Sequence, residues 1–339
     1  MNLDRSLVLN RYLHGLFGAE RFDDLRRSLK EQEEGAGSDG RSRFFHVLSG
    51  RSGIKIGAPA LEDYDRRVME YEALLAKKRR AEPFKSFKYF QYLALLFTEI
   101  FLDRLTADPA AFVRELNAFR ASKADFGEIP DFTADDVRRL AFFMATGSGK
   151  TLLLHVNILQ ILYYLKTGKH PEALVRRSDG RPEFDNILLV TPGEGLSGQH
   201  LVEFEDSGFD AKRFERNGNQ SGLFGPRVSV IEIHKLAEEP SGEGVSVPVA
   251  ELGTRNLIIV DEGHKGTGSE ARTWKNRQEA LSRDGESVPL LLMMAQAQRA
   301  LEQPDAASAL MERACAAGAV PGTRVPVPSA IRPLAYLNV

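Results

Sequence analysis

Two short strings carry residue types and spacings suited to nucleoside-triphosphate chemistry: Ala145-Thr146-Gly147-Ser148-Gly149-Lys150-Thr151 and Asp261-Glu262-Gly263-His264. Backbone N–H groups can converge on a triphosphate only through conformations that a Cβ disfavours, and Gly147 and Gly149 permit them. Lys150 is then in position to neutralise β/γ oxygens and Thr151 to put its hydroxyl on Mg²⁺, with a helix N-terminus behind them. The flanks fit that reading, since Leu140–Met144 has a buried-strand pattern and Leu152–Val156 opens a helix. A Gly/Ser/Thr linker is the plain alternative, but a linker has no need of strand and helix flanks or of a terminal Lys-Thr pair. The strict G-x-x-x-x-G-K-[ST] pattern has glycine where this chain has Met144, so the loop is a variant form.

The second string ends the β-branched run Asn256–Val260, as expected of a central strand buried on both faces. Ligands of open α/β sheets gather at the carboxyl ends of strands, which brings Asp261 and Glu262 to the edge that bears the loop. We read Asp261 as the metal carboxylate and Glu262 as the group that orients and deprotonates water. Taken alone, an Asp-Glu pair after a strand is a solvated turn that caps a helix. The upstream loop reverses that reading.

With both strings in hand, the chain resembles superfamily 2 DExH-type helicases and translocases, and among them the motor subunits of type III restriction enzymes. Met144–Thr151 and Val260–Gly266 carry the resemblance, with Gly263 in place of the alanine of many relatives. Asn186–Pro192, running into Gly193–His200, resembles the first nucleic-acid-contacting motif, which implies contacts by Thr191, Pro192, Gly193 and Gln199. Alone, that segment is an ordinary strand-to-turn signal. Val228–Lys235 resembles the strand that precedes the acidic motif, with His234 a packed or surface residue. The resemblance implies that His264 couples the hydrolysis site to a second lobe, and that an aromatic plus glutamine upstream, here within Phe87–Gln91 with Gln91 as the glutamine, reads adenine. Gln91 lies farther from Lys150 than relatives have it, and a surface glutamine at a helix start fits equally well.

The fold expected is α/β: one RecA-like P-loop lobe with a mostly parallel sheet, preceded by a helical region and followed by an irregular or helical tail. Residues 1–83 read as helices broken at Glu33–Gly40, and residues 84–286 as the lobe, with an insertion at about 106–139 marked by Pro109 and Pro130. Phe84–Leu105 is a helix whose aromatics belong to the core. Lys77-Lys78-Arg79-Arg80 is either a phosphate-backbone contact or a solvated helix end.

A complete motor of this kind has a second lobe whose arginines stabilise charge on the γ-phosphate. The roughly 75 residues after His264 are fewer than the ~100 or more that another such domain needs. Neither a Ser-Ala-Thr motif nor the arginine-rich last motif of these motors occurs. Trp274–Leu281 still reads as an exposed helix, but beyond Ser287 the chain turns rich in Ala, Pro, Leu and Met. We expect residues 287–339 to be an atypical, frameshifted tail; the alternative is a native tail of two short helices, Leu290–Gln303 and Asp305–Ala317.

Composition bounds the rest. With 42% hydrophobic and 27% charged residues the chain supports a real core. A net charge of −2 gives no global attraction to nucleic acid, so any DNA contact is local. The one cysteine, Cys315, excludes an intramolecular disulfide framework and fits a reducing cytoplasm. No signal pattern, membrane-length apolar run or Cys/His metal spacing occurs, leaving ATP with Mg²⁺ as the expected cofactors. Expected partners are duplex DNA and either a modification/specificity subunit or a chain that supplies the second lobe. The function expected is an ATP-binding motor lobe that couples hydrolysis to DNA, weak or inactive alone. The alternatives are a nucleotide-dependent binding module completed in trans and an inactive remnant.

Overall fold

A computed structural model describes residues 7–81, 83–127, 129–145, 147–175, 183–215, 221–222, 225–237, 247–248, 252, 255–261, 290–296 and 335–338. Four helices come first: α1 (Val8–Leu16), α2 (Phe22–Leu29), α3 (Arg43–Ser49) and α4 (Ala58–Lys78). Ser42 caps α3 by accepting the Phe44 N–H, and Pro59 starts α4, where a missing N–H costs nothing. Helix α5 (Tyr89–Ala107) is apolar almost all round and is buried between α4 and α7 (Lys150–Thr167).

Residues 106–139, expected as an insertion, contain α6 (Pro109–Ala121). It opens with Asp108 accepting the Ala111 N–H, and it buries Phe112 and Leu116. One hydrophobic core runs from Val8 through these helices to Ile259. A buried polar knot lies inside it. Arg67 of α4 pairs with Glu99 of α5 at 2.6 Å, while Gln160 and Tyr164 of α7 donate to the same carboxylate at 2.8 and 2.9 Å.

The sheet has seven strands: β1 (Arg139–Met144), β2 (Asn186–Thr191), β3 (Ala211–Arg213), β4 (Val228–Glu232), β5 (Asn256–Asp261), β6 (Leu290–Gln296) and β7 (Ala335–Asn338). Their order is β7-β1-β6-β5-β2-β4-β3, and every pairing is parallel. Helix α8 (Glu194–Asp206) packs on β2, β3 and β4. This is the α/β lobe with a mostly parallel sheet and helical N-terminal region that the sequence led us to expect.

Two elements of the expected irregular or helical tail differ: Ala335–Asn338 is the edge strand β7, paired with β1, and Leu290–Gln296 is β6. Leu290–Gln296, the start of a helix if the tail were native, is a strand filling the slot between β1 and β5. An apolar run of that length, Leu290–Met294, suits a buried strand and a buried helix alike, and pairing on both sides decides for the strand. The second expected tail helix, Asp305–Ala317, lies outside the described residues, as do Cys315 and Trp274–Leu281. No helix among the described residues is long and apolar enough to cross a membrane.

Candidate functional site

The carboxyl edge of the sheet collects the candidate residues. In register, Phe142 of β1 stands beside Met294 of β6, which stands beside Asp261 of β5. The loop that leaves β1 and the last residue of β5 therefore share one edge, one strand apart.

Between β1 and α7 the loop turns through Gly147 at φ 75° and Gly149 at φ 84°, the left-handed region that side chains with a Cβ disfavour. Ser148 tightens the turn, its N–H and hydroxyl both donating to the Ala145 carbonyl at 3.2 and 2.7 Å. Gly149 is the residue from which α7 starts, so Lys150 and Thr151 form the first turn of that helix, at its electropositive end. Met144 is fully buried at the strand end. The departure from the strict loop pattern thus falls in the core and leaves the turn itself glycine-built. Thr146 lies outside the described residues, as do Glu262, Gly263 and His264.

Gln91 reaches this loop despite its distance in sequence. Its Nε2 donates to the Ser148 carbonyl at 2.9 Å, while its Oε1 accepts the Lys88 N–H at 2.9 Å and caps α5. A Cβ on Gly149 would lie 2.5 Å from that Nε2, so the glycine and the glutamine are fitted to each other. Gln91 is buried and not the surface residue of the alternative reading. Helix α5 runs away from the loop, α6 turns back, and β1 returns the chain to the start of α5.

On the opposite flank, His200 Nε2 stands 2.8 Å from Asp261 Oδ2, both side chains buried. The histidine was missed in the sequence, although Ser197, His200 and Phe204 keep the spacing of one buried helix face. Behind it, His155 of α7 stacks on Phe204 at 4.2 Å and meets the Ser207 hydroxyl through Nδ1 at 2.9 Å. Burial holds the His155 imidazole down at about 3, with the nearby His200 and Arg79 acting the same way.

The nucleic-acid set divides. Thr191 is fully buried, its hydroxyl 2.7 Å from that of Ser197, so it shapes the turn from within. Pro192 and Gly193 are partly exposed and Gln199 is exposed. The basic cluster divides too. Arg79 is buried against α8, donating to Glu203 at 2.7 Å and to Ser207 at 2.9 Å, which makes it a tie between helices and removes it from any contact with DNA. His234 is exposed.

A family model described as "Type III restriction enzyme, res subunit" matches residues 110–285, more than half of the 339-residue chain. The chain belongs to that family. The matched residues form its ATP-dependent, helicase-like motor domain. The match opens within α6, so Gln91 and the helical region before it lie upstream of the part the family model covers. Comparison with curated proteins finds no match.

Proposed function

We propose that this chain is the ATP-binding lobe of a DNA translocase or helicase related to type III restriction enzymes, with hydrolysis of Mg-ATP coupled to movement on duplex DNA. The observation that supports it most is the convergence on one sheet edge of a left-handed glycine loop, a helix N-terminus and a buried carboxylate. The open turn at Gly147, where a Cβ would meet nothing within 4 Å, leaves room for a phosphate cradle.

In this reading Gly147, Ser148, Gly149 and Lys150 hold the phosphates, and Thr146 joins them from outside the described residues. Thr151 and Asp261 hold the metal, Glu262 takes the proton of the attacking water, and His264 links the site to a second lobe. When bound, Mg²⁺ supplies the positive charge that offsets the charge developing on the phosphate oxygens. Gln91 reads adenine: its amide keeps one N–H and one lone pair beyond the bonds to Ser148 and Lys88, a donor and acceptor matched to the purine edge. The exposed Gln199 and the turn at Pro192–Gly193 face DNA, and the partner is a modification/specificity subunit or a chain contributing the arginines of a second lobe.

Lys150→Ala abolishes ATP binding, whereas Glu262→Gln keeps binding and stops turnover. Binding of a fluorescent ATP analogue and phosphate release, each with and without duplex DNA, test the pair. Undiminished hydrolysis in both variants rules the reading out.

A further inference from the structure

Helix α8 begins just after the partly exposed turn at Pro192–Gly193 and sends one side chain back to the metal carboxylate. The bond from His200 Nε2 to Asp261 Oδ2, 2.8 Å long, is made by side chains that are 2% and 9% exposed. A carboxylate only accepts, so Nε2 carries a proton and donates it to Asp261. The other ring nitrogen, Nδ1, is buried and, among the described residues, meets no hydrogen-bond partner. Packing alone does not call for such a group, because leucine fills similar space with no orphaned polar atom. The bond to Asp261 is what a histidine gives here and a leucine does not.

The helix that carries His200 is held at both ends. Near its start the Ser197 and Thr191 hydroxyls are 2.7 Å apart; near its end Arg79 donates to Glu203 at 2.7 Å. Between them Phe204, one turn beyond His200, stacks on His155 of the loop's own helix. The ring is thus referenced both to β2 and to α7, the elements on either side of the site.

We propose that His200 is a positioning residue for Asp261: it fixes the carboxylate so that the oxygen facing the metal keeps its aim, and it ties that aim to the helix next to the DNA-facing turn. The proposal rests on the reading of Asp261 as the Mg²⁺ carboxylate. Groups that orient metal-binding side chains typically contribute about 10- to 100-fold to metal affinity.

The test uses the full chain and an ATP analogue with a fluorescent ribose label, titrated with Mg²⁺ present and with EDTA, together with Mn²⁺ binding followed by electron paramagnetic resonance. His200→Leu and His200→Asn are expected to bind the analogue in EDTA as the unmutated chain does, but to lose about 10- to 100-fold of metal affinity. His200→Gln, whose amide nitrogen reaches where Nε2 stands, recovers most of it. Asparagine puts its amide at the other ring position and does not. Should the leucine variant fail to fold, the asparagine and glutamine pair decides. Full metal affinity in His200→Asn, or equal losses in the asparagine and glutamine variants, overturns the proposal. Asp261→Asn separates the two readings. Metal affinity lost there but intact in His200→Leu refutes positioning alone, and metal affinity intact in Asp261→Asn removes the metal role of Asp261 and the proposal with it.

Discussion

Acid should destabilise this protein through a buried histidine of its N-terminal helices. His14 of α1 is 0% exposed, lies among Phe22 and Phe97, and has no hydrogen-bond partner on either ring nitrogen among the described residues. Burial lowers it from its ordinary 6.5 to about 4, with Asp24 pulling it up and Arg11 down. Below pH 6.5 the unfolded chain binds a proton that the folded chain refuses, so stability is complete above 6.5 and falls as pH drops toward about 4. Each pKa unit of difference is worth about 1.4 kcal/mol, which gives roughly 2 kcal/mol lost by pH 5 and about 3 in full. His155, held down by the same cause, adds a loss of similar size. Urea unfolding at a series of pH values from 7.5 to 5, followed by far-UV circular dichroism, measures this directly. His14→Leu should flatten the slope by about 2 kcal/mol over that range and leave the His155 share. An unchanged pH slope in His14→Leu would show that the ring is solvated or paired, and the reasoning would fail.

Three further outcomes follow from the packing around the site. Glu99→Ala strands the Arg67 guanidinium, which is 7% exposed, and should destabilise the fold by about 3–5 kcal/mol in the same urea assay. Gly149→Ala forces a Cβ into left-handed backbone at a cost of about 1–2 kcal/mol and against Gln91 Nε2. It should weaken nucleotide binding at least tenfold, and less when combined with Gln91→Ala, because the collision is then gone; a double-mutant cycle reads the difference, with tenfold set by about 1.4 kcal/mol. Gln91→Ala alone should narrow the preference for ATP over GTP in competition binding, and an unchanged ratio would remove Gln91 from base reading.

How much of this was legible in the sequence depended on whether the signal was local. β1, the glycine turn, α7 and the runs ending at Thr191 and Asp261 were readable because strand, turn and helix patterns follow one another within a few residues. Gln91 was held open on spacing, since its 57-residue separation from Ser148 is spent on α5, α6 and the return to β1, which a linear count does not resolve. Lys77–Arg80 read as one basic cluster, but only tertiary contacts reveal that Arg79 faces Glu203 while its neighbours do not. His200 and Asp261, 61 residues apart, meet through a sheet crossover that no periodicity announces. Thr191 was assigned to a surface contact only through the likeness of its segment to a nucleic-acid-contacting motif; its burial follows from the bond to Ser197, six residues on in the first turn of α8.

The slot occupied by β6 has a consequence for synthesis. The strands on either side of it, β1 and β5, are both made before Leu290–Gln296 leaves the ribosome, so until then each presents an open row of backbone donors and acceptors. The two halves of the candidate site stay unregistered with each other during that interval, and the nascent chain exposes open strand edges to any partner within reach. Because β6 enters after both strands that flank it, synonymous codons that slow translation of residues 262–296 should lower the yield of folded protein with no change in its sequence.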